Sequence, residues 1–163
     1  MLTFGLVVEG HDDEAVLKEL IRKCVPSEVE VIGRKCGNKV ALMKRFPKFL
    51  EEFRYSGLNF HKAIVIRDAD GKDPVPLIKA MESKISNRGH PFPVKLLVIV
   101  QELEAWLLAD GEAIAAVTNK KAPVVRYPER LSNPKEKLKN ILSQARIAYT
   151  PEVARRIAVN ANV

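Results

Sequence analysis

The 163-residue sequence predicts an α/β fold: a parallel sheet of about four strands flanked by helices, followed by a basic helical appendage. Three observations predict it. Short, almost unbroken apolar runs recur along the chain, as strands buried on both faces require. Each run is followed within a few residues by a stretch of helical periodicity, the βα repeat of a parallel sheet with right-handed crossovers. The composition, 47% hydrophobic and 29% charged, suits one compact domain and excludes both a disordered chain and a membrane protein.

The elements follow in order. Residues 2–8 form the first strand, and 13–24 put Val16, Leu17, Leu20, Ile21 and Cys24 on one helical face. Val29 to Ile32 is the second strand, Gly37-Asn38 a break, and 39–54 a helix with Leu42, Phe46, Phe49, Leu50 and Phe53 on its apolar face. Pro47 is expected to bend or divide that helix, because it lacks an N–H and its ring meets the preceding turn. Ala63 to Ile66 is the third strand, with Pro74 opening the next helix. Residues 94–100 are the fourth strand, and Gln101 to Leu108 have helical periodicity. Ala113–Val117, Lys135–Gln144 and Pro151–Ala158 read as short helices separated by prolines. The division expected is an α/β domain over 1–118 and a basic helical appendage over 119–163 packed on it.

The charge is unevenly distributed. Residues 1–118 carry 17 Lys/Arg and 17 Asp/Glu, whereas residues 119–163 carry 10 and 3, so the whole net charge of +7 lies in the last part of the chain. A basic module joined to a neutral one suggests an anionic polymer such as nucleic acid; the alternative is a solvated basic surface that aids solubility. Cys24 and Cys36 show neither a disulfide framework nor metal-ligand spacing. The apolar start has no basic lead and runs at once into Glu9, Asp12 and Asp13, so a signal peptide is not expected and a cytoplasmic setting is.

Ligands of open parallel sheets bind beyond the carboxyl ends of the strands, where the strand order reverses. The acids concentrate there: Glu9-Gly10 after the first strand, Asp68-Ala69-Asp70-Gly71 with Asp73 after the third, Glu102 and Glu104 after the fourth. In a 2-1-3-4 strand order, Glu9 and the Asp68/Asp70 pair converge. Two carboxylates about 4 Å apart repel by about 4 kcal/mol at an effective dielectric near 20, so such a cluster calls for a cation. Hard oxygen ligands without a His or Cys set favour Mg²⁺ or Mn²⁺, which suit phosphoryl chemistry. Helix capping is the competing reading: it accounts for Asp12 and Asp13, competes evenly for Glu102 and Glu104, and accounts poorly for Asp68-x-Asp70. Lys39, just past Gly37-Asn38, is placed to hold a phosphate at a helix start or to be a solvated lysine. His11, His61 and His90 read as structural or exposed, and Trp106 as core.

Val7-Val8-Glu9-Gly10-His11-Asp12-Asp13 and Ile66-Arg67-Asp68-Ala69-Asp70-Gly71 resemble the two signatures of the Toprim domain, a Rossmann-like fold. More narrowly, the string from Val100 to Asp110 with Gln101-Glu102-Leu103-Glu104-Ala105-Trp106 at its heart, then Asn133-Pro134-Lys135-Glu136-Lys137-Leu138 and Tyr149, resembles the Toprim-like family labelled domain of unknown function 4276 over nearly the whole chain. The resemblance implies a metal-dependent nucleic-acid enzyme, and for the narrower family a partner ATPase of ABC or AAA type in phage defence. By the same resemblance Glu9 takes the general acid/base position, and Asp68 and Asp70 are metal ligands. Glu102 and Glu104 match the late acidic motif, and Asp73 joins the metal's outer shell.

The expectation is therefore a Mg²⁺- or Mn²⁺-dependent nuclease or nuclease-like effector. Lys39, Gly10 and Arg67 would contact phosphate, and Asp13 would serve as a cap or support. Strand passage and priming are disfavoured by the chain's length. The alternative is a non-catalytic module that binds nucleic acid or an ATPase, with a homodimer left open. Receiver domains and aspartyl-phosphate hydrolases fit badly, because their acids follow other strands.

Overall fold

The computed structural model describes residues 1–87 and 89–163. Four strands, β1 (Leu2–Val8), β2 (Val29–Lys35), β3 (Lys62–Asp68) and β4 (Val94–Ile99), form one parallel sheet in the order β2-β1-β3-β4. This is the predicted architecture. The order reverses between β1 and β3, so a crevice opens beyond their carboxyl ends.

Helices cover both faces of the sheet because its strands alternate apolar side chains toward each. Val7, Ala63 and Val65 face α2 (Lys39–Tyr55) and α3 (Pro74–Ile85), where Phe46, Phe49, Leu50, Phe53 and Met81 are buried. Leu6, Val8, Ile66 and Ile99 face α1 (His11–Cys24) and the carboxy-terminal helices α4 (Glu104–Leu108), α5 (Gly111–Thr118), α6 (Pro134–Gln144) and α7 (Pro151–Asn160). Leu138, Leu142, Ala154 and Ile157 of α6 and α7 are fully buried in the same cluster as Leu6 and Val8. The Arg155 guanidinium reaches Glu19 of α1 at 3.1 Å, and the Lys23 Nζ donates to the Ala161 carbonyl at 2.6 Å. Among the described residues no helix is long and apolar enough to cross a membrane.

Three local readings differ from the structure. Pro47 does not divide α2, which runs unbroken from Lys39 to Tyr55; the buried row of Leu42, Phe46, Leu50 and Phe53 holds the helix through the lost hydrogen bond. The periodic stretch from Gln101 becomes helical only at Glu104, which leaves Glu102 in the preceding turn. Trp106 is 45% exposed rather than core.

Gly5, in the centre of β1, gives Phe53 its place: a Cβ there would lie 2.5 Å from the Phe53 ring, which is itself 1% exposed. Added bulk in a close-packed core forces side chains off their rotamers and costs about 1–3 kcal/mol. Gly5→Ala should lower stability by that amount in urea unfolding, and Gly5→Ala combined with Phe53→Leu should recover part of it. A loss below about 0.5 kcal/mol would mean that the ring does not depend on the missing Cβ.

Candidate functional site

At the carboxyl ends of β1, β3 and β4 the chain builds a cavity of about 310 Å³. Seven carboxylates line it, those of Glu9, Asp12, Asp13, Asp68, Asp70, Glu102 and Glu104, together with the ammonium groups of Lys39 and Lys135, the His11 ring and Gly10 and Gly37. Most arrive by backbone geometry. Glu9 is the first residue beyond β1, and its Oε1 accepts a hydrogen bond from the Asp68 amide at 3.1 Å. Residues 59 positions apart in sequence thus meet across the strand reversal, the Glu9 carboxylate on the Asp68 backbone. The Asp13 Oδ2 accepts from the Gly10 amide at 2.8 Å, closing the first turn of α1 and turning its carboxyl into the cavity.

The Asp68-Ala69-Asp70 segment does not continue β3. Asp70 adopts a left-handed conformation, φ 50°, and Gly71 follows at φ 74°. The turn is pinned by the Asp70 and Gly71 amides donating to the Gln101 and Val100 carbonyls. Asp68 therefore lies inside the cavity, whereas Asp70 sits at its rim, 49% exposed, with its Oδ2 bound by the Lys39 Nζ.

The remaining acids come from the β4–α4 turn. Glu102 accepts the Lys135 amide at 3.1 Å, so a carboxylate caps the start of α6. Glu104 is buried, its side chain 6% exposed, and its Oε1 accepts from the Tyr149 hydroxyl at 2.7 Å and pairs with the Lys135 Nζ at 3.2 Å. The same ammonium reaches the Asp12 Oδ2 at 3.3 Å and lies over the Tyr149 ring, 5.1 Å from its centre.

Two proposed residues lie elsewhere. Asp73 caps α3, accepting from the Val75 amide at 2.9 Å, and does not line the cavity. Arg67 does not line it either; it borders a small void that Glu9 and Leu17 also line, and its buried Nε has no hydrogen-bond partner among the described residues. Conversely, Lys135, Tyr149 and Asp12 belong to the site although the sequence reading gave them no role in it. The signal was present in Asn133-Pro134-Lys135: a proline at the first position of a helix fixes where that helix starts, and here the start points into the cavity.

The electrostatics follow from burial. Asp68 is pushed up to about 8, first by burial and then by the Asp13, Glu9 and Glu104 carboxylates, with Lys39 opposing weakly. Burial likewise raises Glu9, against the Asp68 amide and Lys39, and raises Asp13 against the Gly10 amide. For Lys135 burial acts downward, but Glu104 and Asp12 outweigh it and hold the ammonium above the usual lysine range. Burial and Glu104 keep the Tyr149 phenol protonated well above the usual range, so it is a permanent donor.

The donor set around Asp68 is carboxylate oxygen, which suits a hard divalent cation; the one imidazole in the cavity, His11, has its Nδ1 held by the Lys35 Nζ at 2.8 Å. Among the described residues no three acidic or imidazole groups already close on one point, since Asp70 and Glu104 are each engaged by a lysine. Among the described residues Asp68 and Asp13 form no ion pair, although Lys39 and Lys135 act on them from a distance, and their mutual repulsion is what a bound cation would relieve.

A carboxyl whose folded pKa lies above its unfolded value favours the folded state while it is protonated. Its contribution is lost as pH rises from the unfolded value near 3.8 through about 8. In EDTA, wild-type protein should lose several degrees of melting temperature between pH 5 and pH 8.5, and Asp68→Asn should lose markedly less. Parallel curves for the two proteins would contradict the raised Asp68 titration.

The model of the family described as Domain of unknown function (DUF4276) matches residues 8–163. No curated protein and no solved structure matches the chain.

Proposed function

The chain belongs to the DUF4276 family, matched from residue 8 to residue 163, and we propose that it is a Mg²⁺- or Mn²⁺-dependent hydrolase of nucleic-acid phosphodiester bonds. One observation carries the reading: the half-buried Asp68 carboxyl shares a cavity at the sheet's reversal point with Glu9 and Asp13, and all three are raised by partial burial. A purely structural set of helix caps has no use for that expense of electrostatic energy, since caps satisfy amides at the surface. The resemblance of both acidic strings to Toprim signatures supports the same reading.

Asp68 and Asp13 would hold the cation, with Asp70 or Glu102 completing the set from the rim. The ion would supply Lewis-acid polarisation of the phosphodiester and a nucleophilic water at neutral pH. The chain's own groups supply the rest. Glu9, held by the Asp68 amide on Oε1, keeps Oε2 for a proton, and its raised titration brings it toward the pH at which a general acid or base works. Lys39 and Lys135 flank the cavity as fixed positive charges for the phosphate oxygens. Tyr149 and Glu104 orient Lys135 rather than touch substrate. An ABC- or AAA-type ATPase remains the proposed partner by resemblance, and a homodimer the proposed assembly.

Wild-type protein should cleave DNA or RNA with Mg²⁺ or Mn²⁺ and lose the activity in EDTA. Glu9→Gln should slow cleavage by roughly 10²–10⁴-fold, the usual size of a lost general acid or base. Asp68→Asn should abolish both cleavage and the thermal stabilisation by divalent ions. Cleavage that survives both substitutions would refute the mechanism; salt-sensitive binding without cleavage, even with an ATPase present, would instead favour a binding module.

A further inference from the structure

We propose that the start and the exposed face of α2 form the path along which the nucleic-acid backbone enters the acidic cavity, with Lys44 and Lys48 on that face and Lys39 at the helix start contacting phosphates of one strand. The inference rests on the hydrolase reading above and adds where the substrate lies. The sequence alone pointed elsewhere, to the basic residues after 118.

The surface relief supports α2. The acidic cavity opens into a second depression of about 650 Å³, with Glu9, Gly37 and Lys39 lining both. That depression runs along the first turns of α2 to Lys44. Lys44 also lines the next one, about 390 Å³, together with Lys48, Glu51 and Lys84 of α3. The three depressions adjoin through shared lysines, Lys39 between the cavity and the second and Lys44 between the second and the third. Lys44, Lys48 and Lys84 are exposed and make no ion pair among the described residues. Of the basic residues after 118, Lys135 lines the cavity, whereas none lines the two depressions along α2.

The dimensions fit an extended anion. Lys44 and Lys48 stand one turn apart on the same exposed face, roughly 6 Å of rise at 1.5 Å per residue, whereas Lys39 lies at the helix start on the side that meets Asp70 and the cavity. Phosphates advance about 3.4 Å per nucleotide along one strand of a duplex, so Lys44 and Lys48 would engage phosphates roughly two apart before the strand turns past Lys39. The amino end of α2, whose Asn38 cap leaves other first-turn amides toward the groove mouth, carries positive potential where the strand would turn into the cavity. A small substrate would have no need of the lysines beyond Lys39.

The test uses the full chain in the Glu9→Gln background with Mg²⁺, and measures binding of labelled 30-nucleotide single-stranded and 30-base-pair DNA and RNA by anisotropy across 50–300 mM salt. Lys44→Glu with Lys48→Glu is compared with a charge-matched pair, Lys120→Glu with Lys121→Glu. The α2 pair should weaken binding about tenfold or more at 0.1 M salt and lower the salt slope by roughly 1.4–1.8, the contribution of two phosphate contacts. The control pair should change affinity by less than about threefold. Equal losses in the two pairs, or none in the α2 pair, would overturn the path. Cleavage is read separately with Glu9 intact: if wild-type protein cleaves while Lys44→Glu with Lys48→Glu binds and cuts normally, only the path fails; if wild-type protein neither binds nor cuts any of these polymers, the hydrolase reading fails with it.

Discussion

The parallel pairing of β1 with β3 is the constraint on which the rest of the molecule depends. Its register sets Phe4 against Lys62 and Val7 against Val65, so the chain leaves β1 at Glu9 just where β3 ends at Asp68. The hydrogen bond from the Asp68 amide to Glu9 is a consequence of that register, not of local sequence. A slip by one residue would turn Val7 and Val65 out of one core and Leu6 and Ile66 out of the other, so the hydrophobic pattern on both faces guards the alignment of the acids.

Bringing acids together at a strand end creates repulsion that the fold offsets only in part. Lys39 engages Asp70 on the α2 side, and Lys135 engages Asp12 and Glu104 on the α6 side. Asp68 and Asp13, between them, keep no ammonium of their own and titrate high. The two lysines belong to opposite faces of the sheet, so the cavity is assembled by both helical layers. This gives the carboxy-terminal helices a part in the site beyond adding charge: the start of α6 is fastened to Glu102 through an amide and to Glu104 through Lys135, and Tyr149 closes the arrangement from the segment before α7. Their buried Leu138, Leu142 and Ile157 hold them there.

Much of this was legible in the sequence because each signal was local. Apolar runs of strand length, helical periodicity and prolines at helix starts gave the element order, and the strand order 2-1-3-4 was the doubly wound arrangement that such an order of elements allows. The strand-end acids then followed from topology. What was not legible depended on contacts over long separations or on a single backbone angle. Asp68-x-Asp70 reads as a pair on one face, but the left-handed Asp70 sends the second carboxylate to Lys39. Asp73 reads as one more acid near a metal, yet it is spent on the amide of Val75. Lys135 reads as one charge among ten in a basic segment, and only the packing of α6 beside α4 shows it inside the acidic cavity. Pro47 failed as a breaker because tertiary burial outweighed one lost hydrogen bond.

The central claim is that Asp68 is a half-buried carboxyl crowded by other carboxylates, where a cation is proposed to bind. A carboxyl-detected ¹³C NMR titration of Asp68, assigned with Asp68→Asn, tests it most directly. In metal-free protein its midpoint should lie near 8, and saturating Mg²⁺ should move it down by well over one pH unit, because a bound cation favours the charged form. A metal-free midpoint in the ordinary aspartate range, unmoved by Mg²⁺, would contradict the account.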